Sequence, residues 1–252
     1  MSEYVTLTIR RQDRPDTEPY EQVFRVPRLP QMNVISCLQQ IAANPVTVDG
    51  APTSPVAWDC SCLEEVCGSC TMVINGRVRQ SCTALVDALL EEEPSAIRLE
   101  PMRKFPVVRD LIVDRSRIFA TLKRVRAWVP VDGYYDLGPG PRLSQREQEE
   151  AYPLSRCMSC GCCLDACPQF NDRGEFLGAA AISQAVLFNA HPTGRMIAGE
   201  RLDALMAPGG VTDCGNAQNC VKVCPKDIPL TDSIARAGRE TTLHAIRQWL
   251  GR

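Results

Sequence analysis

The sequence predicts an α+β protein with a sheet domain over residues 1–104 and a helical domain over residues 105–252. Alternation of apolar and polar residues, the period of a strand, marks the first part. In the second part apolar residues recur every three or four positions, the period of an amphipathic helix. Cysteine motifs of different spacing divide between the same two parts, which indicates that each domain is built around its own centre.

The composition excludes several functional classes. The 252 residues are 44% hydrophobic with a formal net charge of −2, so the chain lacks the basic footprint of a nucleic-acid-binding protein. No apolar run reaches the ~18 residues of a membrane-spanning helix. A polar stretch follows the Arg10-Arg11 pair, so we expect no export signal.

The first domain begins with two predicted strands and a helix. The first strand has an apolar face formed by Val5, Leu7 and Ile9. The second lies near residues 22–26, and Asn33 is placed to cap the helix that follows. The apolar face of this helix comprises Ile35, Leu38 and Ile41. Cys37 is expected to be a small buried hydrophobe beside it. This order of elements favours a β-grasp ferredoxin fold.

The first cysteine motif predicts a binuclear iron–sulfur site. Cys62, Cys67 and Cys70 form C-x4-C-x2-C, and Cys82 follows after eleven residues. This is the plant-type [2Fe–2S] spacing. Gly68 allows the backbone to approach the cluster without a Cβ clash. Cys60 falls outside the spacing and is interpreted as a spare thiol.

A hairpin is predicted between the third and fourth ligands of this motif. Asn75-Gly76 is a strong type I′ turn signal, and the flanking segments 71–74 and 77–80 are predicted strands. The hairpin would return Cys82 to the cluster. A final strand over Ile97–Glu100 is expected to close the domain.

The second domain is predicted to be helical. One long amphipathic helix is expected from Leu111 to Val129 and is ended by Pro130. Its basic side is interpreted as a solvated face, with contact to a partner or to lipid headgroups as the alternative, and comprises Arg115, Arg117, Lys123, Arg124 and Arg126. A turn-rich connector over residues 131–141 follows. Further helices are expected over 144–155, 179–190, 200–206 and from Thr231 onwards, the last carrying Ile234, Leu243, Ile246 and Leu250. Of the two histidines, His191 and His244, both are expected to be structural.

The second domain also contains two cubane-type motifs. Residues 157–168 read C-x2-C-x2-C-x3-C-P, the ferredoxin spacing whose fourth cysteine ligates the other cluster. A partner segment, residues 213–225, carries three further cysteines and a proline. The crossing rule assigns [4Fe–4S] to Cys157, Cys160, Cys163 and Cys224. It leaves the second cluster with Cys167, Cys214 and Cys220.

The second cluster is expected to be [3Fe–4S]. The position three residues after Cys214 is Ala217, which offers no donor atom. Cys162 lies beside Cys163, where a shift would break the spacing, so it is interpreted as a non-ligand. Metal binding therefore falls to eleven cysteines through cluster iron.

Two other uses of cysteine, disulfide bonds and zinc binding, account less well for the 14 cysteines. A disulfide framework is typical of small secreted proteins, and this chain is long and has no recognisable signal peptide. Zinc also uses C-x2-C pairs, but its sites close with two separated pairs. The four motif cysteines within residues 157–167, followed by proline, favour a cubane.

The three motifs together resemble the iron–sulfur subunit family of succinate dehydrogenase and fumarate reductase. They are C-x4-C-x2-C-x11-C, C-x2-C-x2-C-x3-C-P and C-x5-C-x3-C-P with a non-cysteine third slot, and FPVVRDLIVDRS supports the resemblance. WDCSCLEEVCGSC, LFNAHPTG and DCGNAQNCVKVCPK are most similar to the menaquinone-linked, Bacillus-type branch.

The resemblance implies a subunit that transfers electrons between two partner subunits of an enzyme of the tricarboxylic acid cycle. A flavoprotein would interconvert succinate and fumarate at FAD, and a membrane cytochrome b subunit would handle quinone. The [2Fe–2S] cluster would lie nearest the flavin and the [3Fe–4S] cluster nearest the membrane. The subunit would be peripheral on the cytoplasmic face of the cell membrane. The sequence shows no G-x-G-x-x-G after a strand and no acid–base constellation, so we assign no catalytic residue.

The sequence departs from ubiquinone-reducing relatives at two positions. Those relatives have a tryptophan shortly after the cysteine-proline and a histidine after the next cluster cysteine. Here Gln169 and Phe170 follow Pro168, and Gly215 follows Cys214. The departure implies a low-potential quinone, such as menaquinone, bound chiefly by the membrane subunit.

Two other functions stay open at this point. The first is an iron–sulfur subunit of another flavoenzyme, of the thiol:fumarate or glycolate type, whose members tend to carry additional CCG segments. The second is a free-standing soluble ferredoxin, a class that is usually small and strongly acidic. Neither tendency matches this sequence, which has no CCG segment and a net charge of −2.

Overall fold

The computed structural model describes residues 3–130 and 142–251, so the predicted connector over 131–141 lies outside the described residues. The chain divides into two compact units, Met1–Arg115 with Met158–Asp165, and Ser116–Cys157 with Ala166–Arg252. The first unit contains the sheet and the second is helical, which confirms the α+β class. The domain boundary after residue 104 stays a prediction.

The first unit is built on a five-stranded sheet. Its strands are β1 (Tyr4–Arg11), β2 (Tyr20–Pro27), β3 (Thr71–Ile74), β4 (Arg77–Gln80) and β5 (Ile97–Glu100), in the order β2-β1-β5-β3-β4. β1 runs parallel to β5, and the other pairs are antiparallel. The alternation in β1 is confirmed, because Val5, Leu7 and Ile9 are buried in the core.

Two helices, α1 (Val34–Ala43) and α2 (Val86–Glu92), accompany this sheet. The predicted cap of α1 is confirmed: Asn33 Oδ1 accepts the Ser36 amide proton at 2.9 Å. The same side chain donates from Nδ2 to the Cys82 carbonyl at 2.8 Å, which ties α1 to the end of the cysteine motif. Cys37 is buried as predicted, and burial raises its pKa to about 12.

The predicted hairpin joins β3 and β4. Asn75 and Gly76 have φ values of 47° and 76°, the left-handed conformations that a type I′ turn needs. The Asn75 side chain also accepts the Arg98 amide proton at 2.8 Å, which attaches the turn to β5. Pairing of Thr71 with Gln80 then brings the chain back beside Cys70.

The long helix expected from Leu111 to Val129 is wrong. The chain instead forms β6 (Val107–Arg109), β7 (Ile112–Val113) and a shorter helix, α3 (Ser116–Arg124). Asp110 and Arg126 have φ values of 47° and 48°, and a left-handed residue interrupts a right-handed helix. The Leu111 amide is bonded to the Ala57 carbonyl at 3.1 Å, so tertiary hydrogen bonds replace helical ones here.

A buried ion pair joins β1 to this irregular segment. Arg11 and Asp110 are both fully buried, with Nη2 to Oδ2 at 3.0 Å and Nε to Oδ1 at 3.1 Å. Arg11 also donates to the carbonyls of Ser54 and Pro55, and Asp110 accepts the Ala57 amide proton at 2.8 Å. The pair therefore fastens the chain that leads into the first cysteine motif.

The remaining helices are α4 (Gln145–Ser155), α5 (Cys162–Asp165), α6 (Gly178–Ala190), α7 (Ala198–Met206), α8 (Asn219–Lys222) and α9 (Leu230–Trp249). The predicted helices over 144–155, 179–190 and 200–206 are confirmed to within two residues. A capping box at Ser144 and Glu147 explains the start of α4. Arg201 is fully buried on α7 and donates to the carbonyls of Arg126 and Trp128.

The last helix buries a different face from the one its large apolar residues suggest. Leu230, Ser233, Ala237 and Thr241 are buried, whereas Leu243 and Ile246 are exposed. His244 Nε2 lies 2.9 Å from Asp203 Oδ1, and His191 Nδ1 accepts the Gly194 amide proton at 3.2 Å. Both histidines thus have local structural contacts, as predicted. Within 3–130 and 142–251, no helix combines the length and hydropathy of a membrane span.

Candidate metal centres

The first candidate centre lies in the loop before β3 and at the end of β4. Cys70 directly precedes β3, and Cys82 follows β4. Ser81 donates from its amide and its hydroxyl to the Cys70 carbonyl, at 3.2 and 2.9 Å. Both cysteines are buried and pack with Ile35 of α1. The hairpin therefore brings the third and fourth predicted ligands together.

The backbone before Cys67 is shaped around the sulfur of Cys62. The amides of Glu64, Val66 and Cys67 donate to Cys62 Sγ at 3.4, 3.2 and 3.3 Å. Leu63 and Glu65 have φ values of 61° and 55°, and alternating left-handed residues turn successive amides towards one point. Such a nest of N–H groups favours negative charge at the point where the amides converge, which is the Cys62 sulfur.

The pKa values of two of these thiols, Cys67 and Cys82, are shifted in opposite directions. Hydrogen bonds from the Ser69 hydroxyl and from backbone amides lower the pKa of Cys67 to about 6, against a smaller effect of burial. Burial raises the pKa of Cys82 to about 12, and the neighbouring Cys70 adds to the rise. Because iron binds the thiolate, loading this site would release the proton of Cys82.

This donor set fits a binuclear cluster. It offers four sulfur atoms of the predicted spacing, and amide donors surround one of them. Among the described residues, no three His, Cys, Asp or Glu side chains are spaced to hold one metal ion. In a cluster the cysteine sulfurs bind different irons, which sulfides bridge. The sulfurs therefore lie farther apart than the ligands of a single metal ion. Cys60 is exposed beside this loop, and its interpretation as a spare thiol stays a prediction.

The second motif divides between the two units. Cys160 and Cys163 belong to the first unit and are buried, whereas Cys157 and Cys224 belong to the second. Ser159 and Gly161 have φ values of 52° and 89°, which turn the chain sharply on either side of Cys160. The assignment of all four to one cluster stays a prediction.

Cys162 is fully buried and hydrogen-bonded. Gln80 of β4 donates from Nε2 to Cys162 Sγ at 3.4 Å. Hydrogen bonds from the Cys162 thiol and amide lower the pKa of Cys160 to about 7, although burial opposes them. The same contact and burial raise the pKa of Cys162 itself, so its proton stays on sulfur. The interpretation of Cys162 as a non-ligand stays a prediction, because burial also raises the pKa of Cys82, a predicted ligand.

The third candidate centre lies within the second unit. Burial raises the pKa of the Cys220 thiol, and the nearby Cys167 and Cys214 add to the rise, so the three thiols lie close enough to interact. Asn219 donates from Nδ2 to the Ala166 carbonyl at 3.1 Å, which fastens α8 to the residue before Cys167. The assignment of Cys167, Cys214 and Cys220 to one [3Fe–4S] cluster stays a prediction.

The expectation of a solvated basic face on residues 115–126 is wrong for three arginines. Arg115 donates to the Gly68 and Ser69 carbonyls of the first cysteine loop. Arg117 donates to the Asn171 carbonyl at 2.6 Å and lies 3.9 Å from the centre of the Phe170 ring. Arg124 donates to the Pro208 carbonyl. A helical wheel carries no signal for these contacts, because the acceptors are loop carbonyls distant in sequence.

Two family models cover most of the chain. Residues 6–120 match the 2Fe-2S iron-sulfur cluster binding domain, and residues 153–228 match the 4Fe-4S dicluster domain. The chain is 58% identical to the succinate dehydrogenase iron–sulfur subunit of Bacillus subtilis, over 100% of this chain and 98% of the relative. The chain belongs to the family of iron–sulfur subunits of succinate dehydrogenase and fumarate reductase.

More distant members of this family match almost as completely. The fumarate reductase iron–sulfur subunit of Mycobacterium tuberculosis is 34% identical, over 94% of this chain and 93% of the relative. That of Wolinella succinogenes is 30% identical, over 89% and 90%. A chain of the Mycobacterium smegmatis Sdh1 complex in the apo form has the same fold, with a TM-score of 0.75, 23% identity and 96% of each chain covered.

Family membership confirms the class of cofactor and of enzyme. The chain is an iron–sulfur subunit of an oxidoreductase, and its two cluster-binding domains are of the [2Fe–2S] and [4Fe–4S] types. The subunit family also carries a [3Fe–4S] cluster.

Proposed function

We propose that this chain relays single electrons between the FAD of a flavoprotein subunit and quinone at a membrane cytochrome b subunit of a succinate:quinone oxidoreductase. Eleven cysteines in three spaced groups, on a chain of this family, are the observation that carries the proposal. The membrane subunit would hold the chain peripherally at the cytoplasmic face of the cell membrane. Neither a thiol- or glycolate-type flavoenzyme nor a free ferredoxin gains support from the relatives found.

We further propose the ligands of each cluster. The sets are Cys62, Cys67, Cys70 and Cys82 for [2Fe–2S]; Cys157, Cys160, Cys163 and Cys224 for [4Fe–4S]; and Cys167, Cys214 and Cys220 for [3Fe–4S]. Support comes from the spacing, from the packing of Cys70 with Cys82, and from the hydrogen bond that fastens Asn219 beside Cys167. Three one-electron centres would allow a two-electron flavin to release its electrons singly.

The protein's own residues bind and tune these centres. The amides of Glu64, Val66 and Cys67 favour negative charge on the Cys62 sulfur, and the Ser69 hydroxyl favours it on Cys67. Burial of Cys70, Cys82 and Cys160 keeps water from their sulfur atoms. Hydrogen bonds and burial are the means by which a protein sets a cluster's potential. None of these residues needs to move a proton during electron relay.

We propose that a low-potential quinone, such as menaquinone, binds chiefly to the membrane subunit. A Cβ atom at Gly215 would lie 2.5 Å from Nε2 of Gln169, so the Gln169 amide fills the space beside this backbone. A side chain at residue 215 could enter only if Gln169 moved away. A structure of the complex with quinone packed against Pro168 and Gly215 would contradict this proposal.

The proposal is tested on the complex purified through this chain. We expect about nine irons per chain, from two, four and three, and an EPR signal of a [3Fe–4S] cluster in the oxidised state. We also expect a flavoprotein and a membrane cytochrome b to co-purify, and succinate-dependent quinone reduction. Two [4Fe–4S] centres would contradict the ligand assignment, and a soluble colourless zinc protein would contradict the function.

A further inference from the structure

The loop between two proposed [2Fe–2S] ligands lies directly on the backbone of a proposed [4Fe–4S] ligand. Gly68 follows Cys67, lies two residues before Cys70 and has a φ of +73°. A Cβ atom at Gly68 would lie 2.7 Å from Cys160 Cβ and 2.8 Å from Cys160 Cα. Real Cβ atoms essentially never approach so closely, so any side chain here must push the two segments apart.

The contact is specific to this glycine. Gly76, in the β3–β4 turn, has nearly the same conformation, with a φ of +76°. A Cβ atom at Gly76 would meet nothing within 4 Å. The two glycines therefore share the backbone requirement for a positive φ, and only Gly68 adds a requirement for close approach.

Hydrogen bonds fix the position of the Gly68 peptide. Its carbonyl accepts from Arg115 Nη1 and from the Thr71 hydroxyl, the latter at 2.7 Å. Arg115 Nη2 donates to the next carbonyl, that of Ser69, at 2.6 Å. The loop cannot move away from Cys160 without breaking these bonds, one of which is fully buried.

The other side of the contact is fixed to the same hairpin. Gln80 of β4 is 1% exposed and donates from Nε2 to the Thr71 hydroxyl at 3.0 Å and to Cys162 Sγ at 3.4 Å. The chain on either side of the Gly68–Cys160 contact is thus attached to β3 and β4. Hydrogen bonds within the first unit therefore hold Gly68 and Cys160 in close contact.

We propose that Gly68 is a positioning residue for electron transfer, because it sets the closest approach between the [2Fe–2S] and [4Fe–4S] centres. The inference rests on the proposed ligand assignment. In this step one electron leaves the centre held by Cys67 and Cys70 and enters the centre held by Cys160. No bond forms or breaks and no proton moves. Tunnelling falls steeply with distance, so even a small separation of the two segments slows the step.

Gly68→Ala and Gly76→Ala in the purified complex test the proposal as a matched pair. With both clusters reduced, we measure how strongly the [4Fe–4S] spin accelerates the relaxation of the [2Fe–2S] EPR signal, an effect that weakens steeply with separation. We expect a several-fold weaker effect in Gly68→Ala at full iron content, and a wild-type effect in Gly76→Ala. Equal effects in both variants at full iron content would overturn the proposal.

A second pair decides the case if Gly68→Ala loses iron. Arg115→Met removes the two bonds to the Gly68 and Ser69 carbonyls and leaves Gly68 intact, while Arg14→Met alters an arginine that is 74% exposed. We expect weaker relaxation only in Arg115→Met, and unchanged relaxation in it would overturn the proposal. An incorrect ligand assignment would show itself separately, as a wild-type complex without the [4Fe–4S] signal.

Discussion

Ala217 stands where a fourth sulfur ligand would stand in the segment from Cys214 to Cys220. A methyl side chain cannot bind iron, so the third centre is expected to hold three irons. Ala217→Cys should supply the missing thiolate and convert [3Fe–4S] towards [4Fe–4S]. The oxidised complex should then lose its [3Fe–4S] EPR signal and gain about one iron per chain.

The control for Ala217→Cys places a thiol in the same segment at the wrong spacing. Val221 is 36% exposed and follows Cys220, so Val221→Cys adds a cysteine outside the motif. We expect it to keep the [3Fe–4S] signal. Loss of the signal in both variants, or in neither, would refute the role given to Ala217.

Glu100 makes the stability of the first unit depend on pH. Burial alone would raise its pKa, but hydrogen bonds from Arg103 and Arg98 prevail and lower the pKa below the ordinary value. The charged form therefore stabilises the fold at pH values above that of the unfolded carboxyl, about 4.3. This stabilisation is lost as the pH falls through the lowered pKa of the folded state.

Glu100→Gln should accordingly destabilise the full chain at pH 7 and converge with the wild type as the pH falls below about 4. Urea unfolding followed by circular dichroism at both pH values measures the difference. Glu92→Gln, at a more exposed carboxylate paired with Arg79, should change little at either pH. A constant penalty for Glu100→Gln across this range would show that its charge is not responsible.

At the scale of elements, the buried Arg11–Asp110 pair connects β1, the β6–β7 segment and the chain before the first cysteine motif. Removing one partner of a buried ion pair leaves the other charge without compensation. We expect Arg11→Met to cost about 3–5 kcal/mol of unfolding free energy, measured by denaturant unfolding of the full chain. Iron content should fall with it, because residues 53–57 lose their anchor.

The matched control is the exposed Arg14–Asp16 pair, whose atoms are 3.9 Å apart. Arg14→Met should change the unfolding free energy by no more than about 0.5 kcal/mol, because solvent screens such a pair. If both variants lose similar stability, the buried pair has no special role in anchoring the loop.

Secondary structure was predicted correctly where turn residues or a helix cap determine the local backbone. The β3–β4 hairpin follows from Asn75-Gly76, and α1 begins at Asn33 because its side chain caps the first turn. The segment from Leu111 to Val129 also has helical spacing, but its first part is extended. The Leu111 amide donates to the Ala57 carbonyl and that of Asp110, just before the segment, to the Gln12 carbonyl; a periodicity argument contains no information about such distant partners.

At the scale of the whole molecule, cluster binding and folding are expected to be one equilibrium. Loops such as residues 62–67 take left-handed conformations at Leu63 and Glu65, which cost free energy unless a bound group compensates. Iron chelation under reducing conditions should therefore lower the melting temperature and make these loops sensitive to proteases. Circular dichroism melting and limited proteolysis measure both effects.

Reconstitution of the clusters shows whether the loss of stability comes from the loss of iron or from irreversible damage by the chelator. Anaerobic addition of ferrous iron and sulfide should restore the melting temperature and the visible colour. Zinc alone should restore neither, because the ligand groups are spaced for clusters of several irons. Full recovery of the melting temperature with zinc would instead indicate that these cysteines form zinc sites.

The sequence by itself determined the types of cluster and the family, and it predicts the ligands of each centre, since cysteine spacing along a short loop limits which cluster its sulfurs can reach. It also determined the local elements whose turns and caps lie within a few residues. Only the tertiary structure decided that Arg115 holds the first cysteine loop and that Gly68 lies against Cys160. These contacts join residues 47 and 92 positions apart, and distances of that kind are set by packing rather than by local pattern.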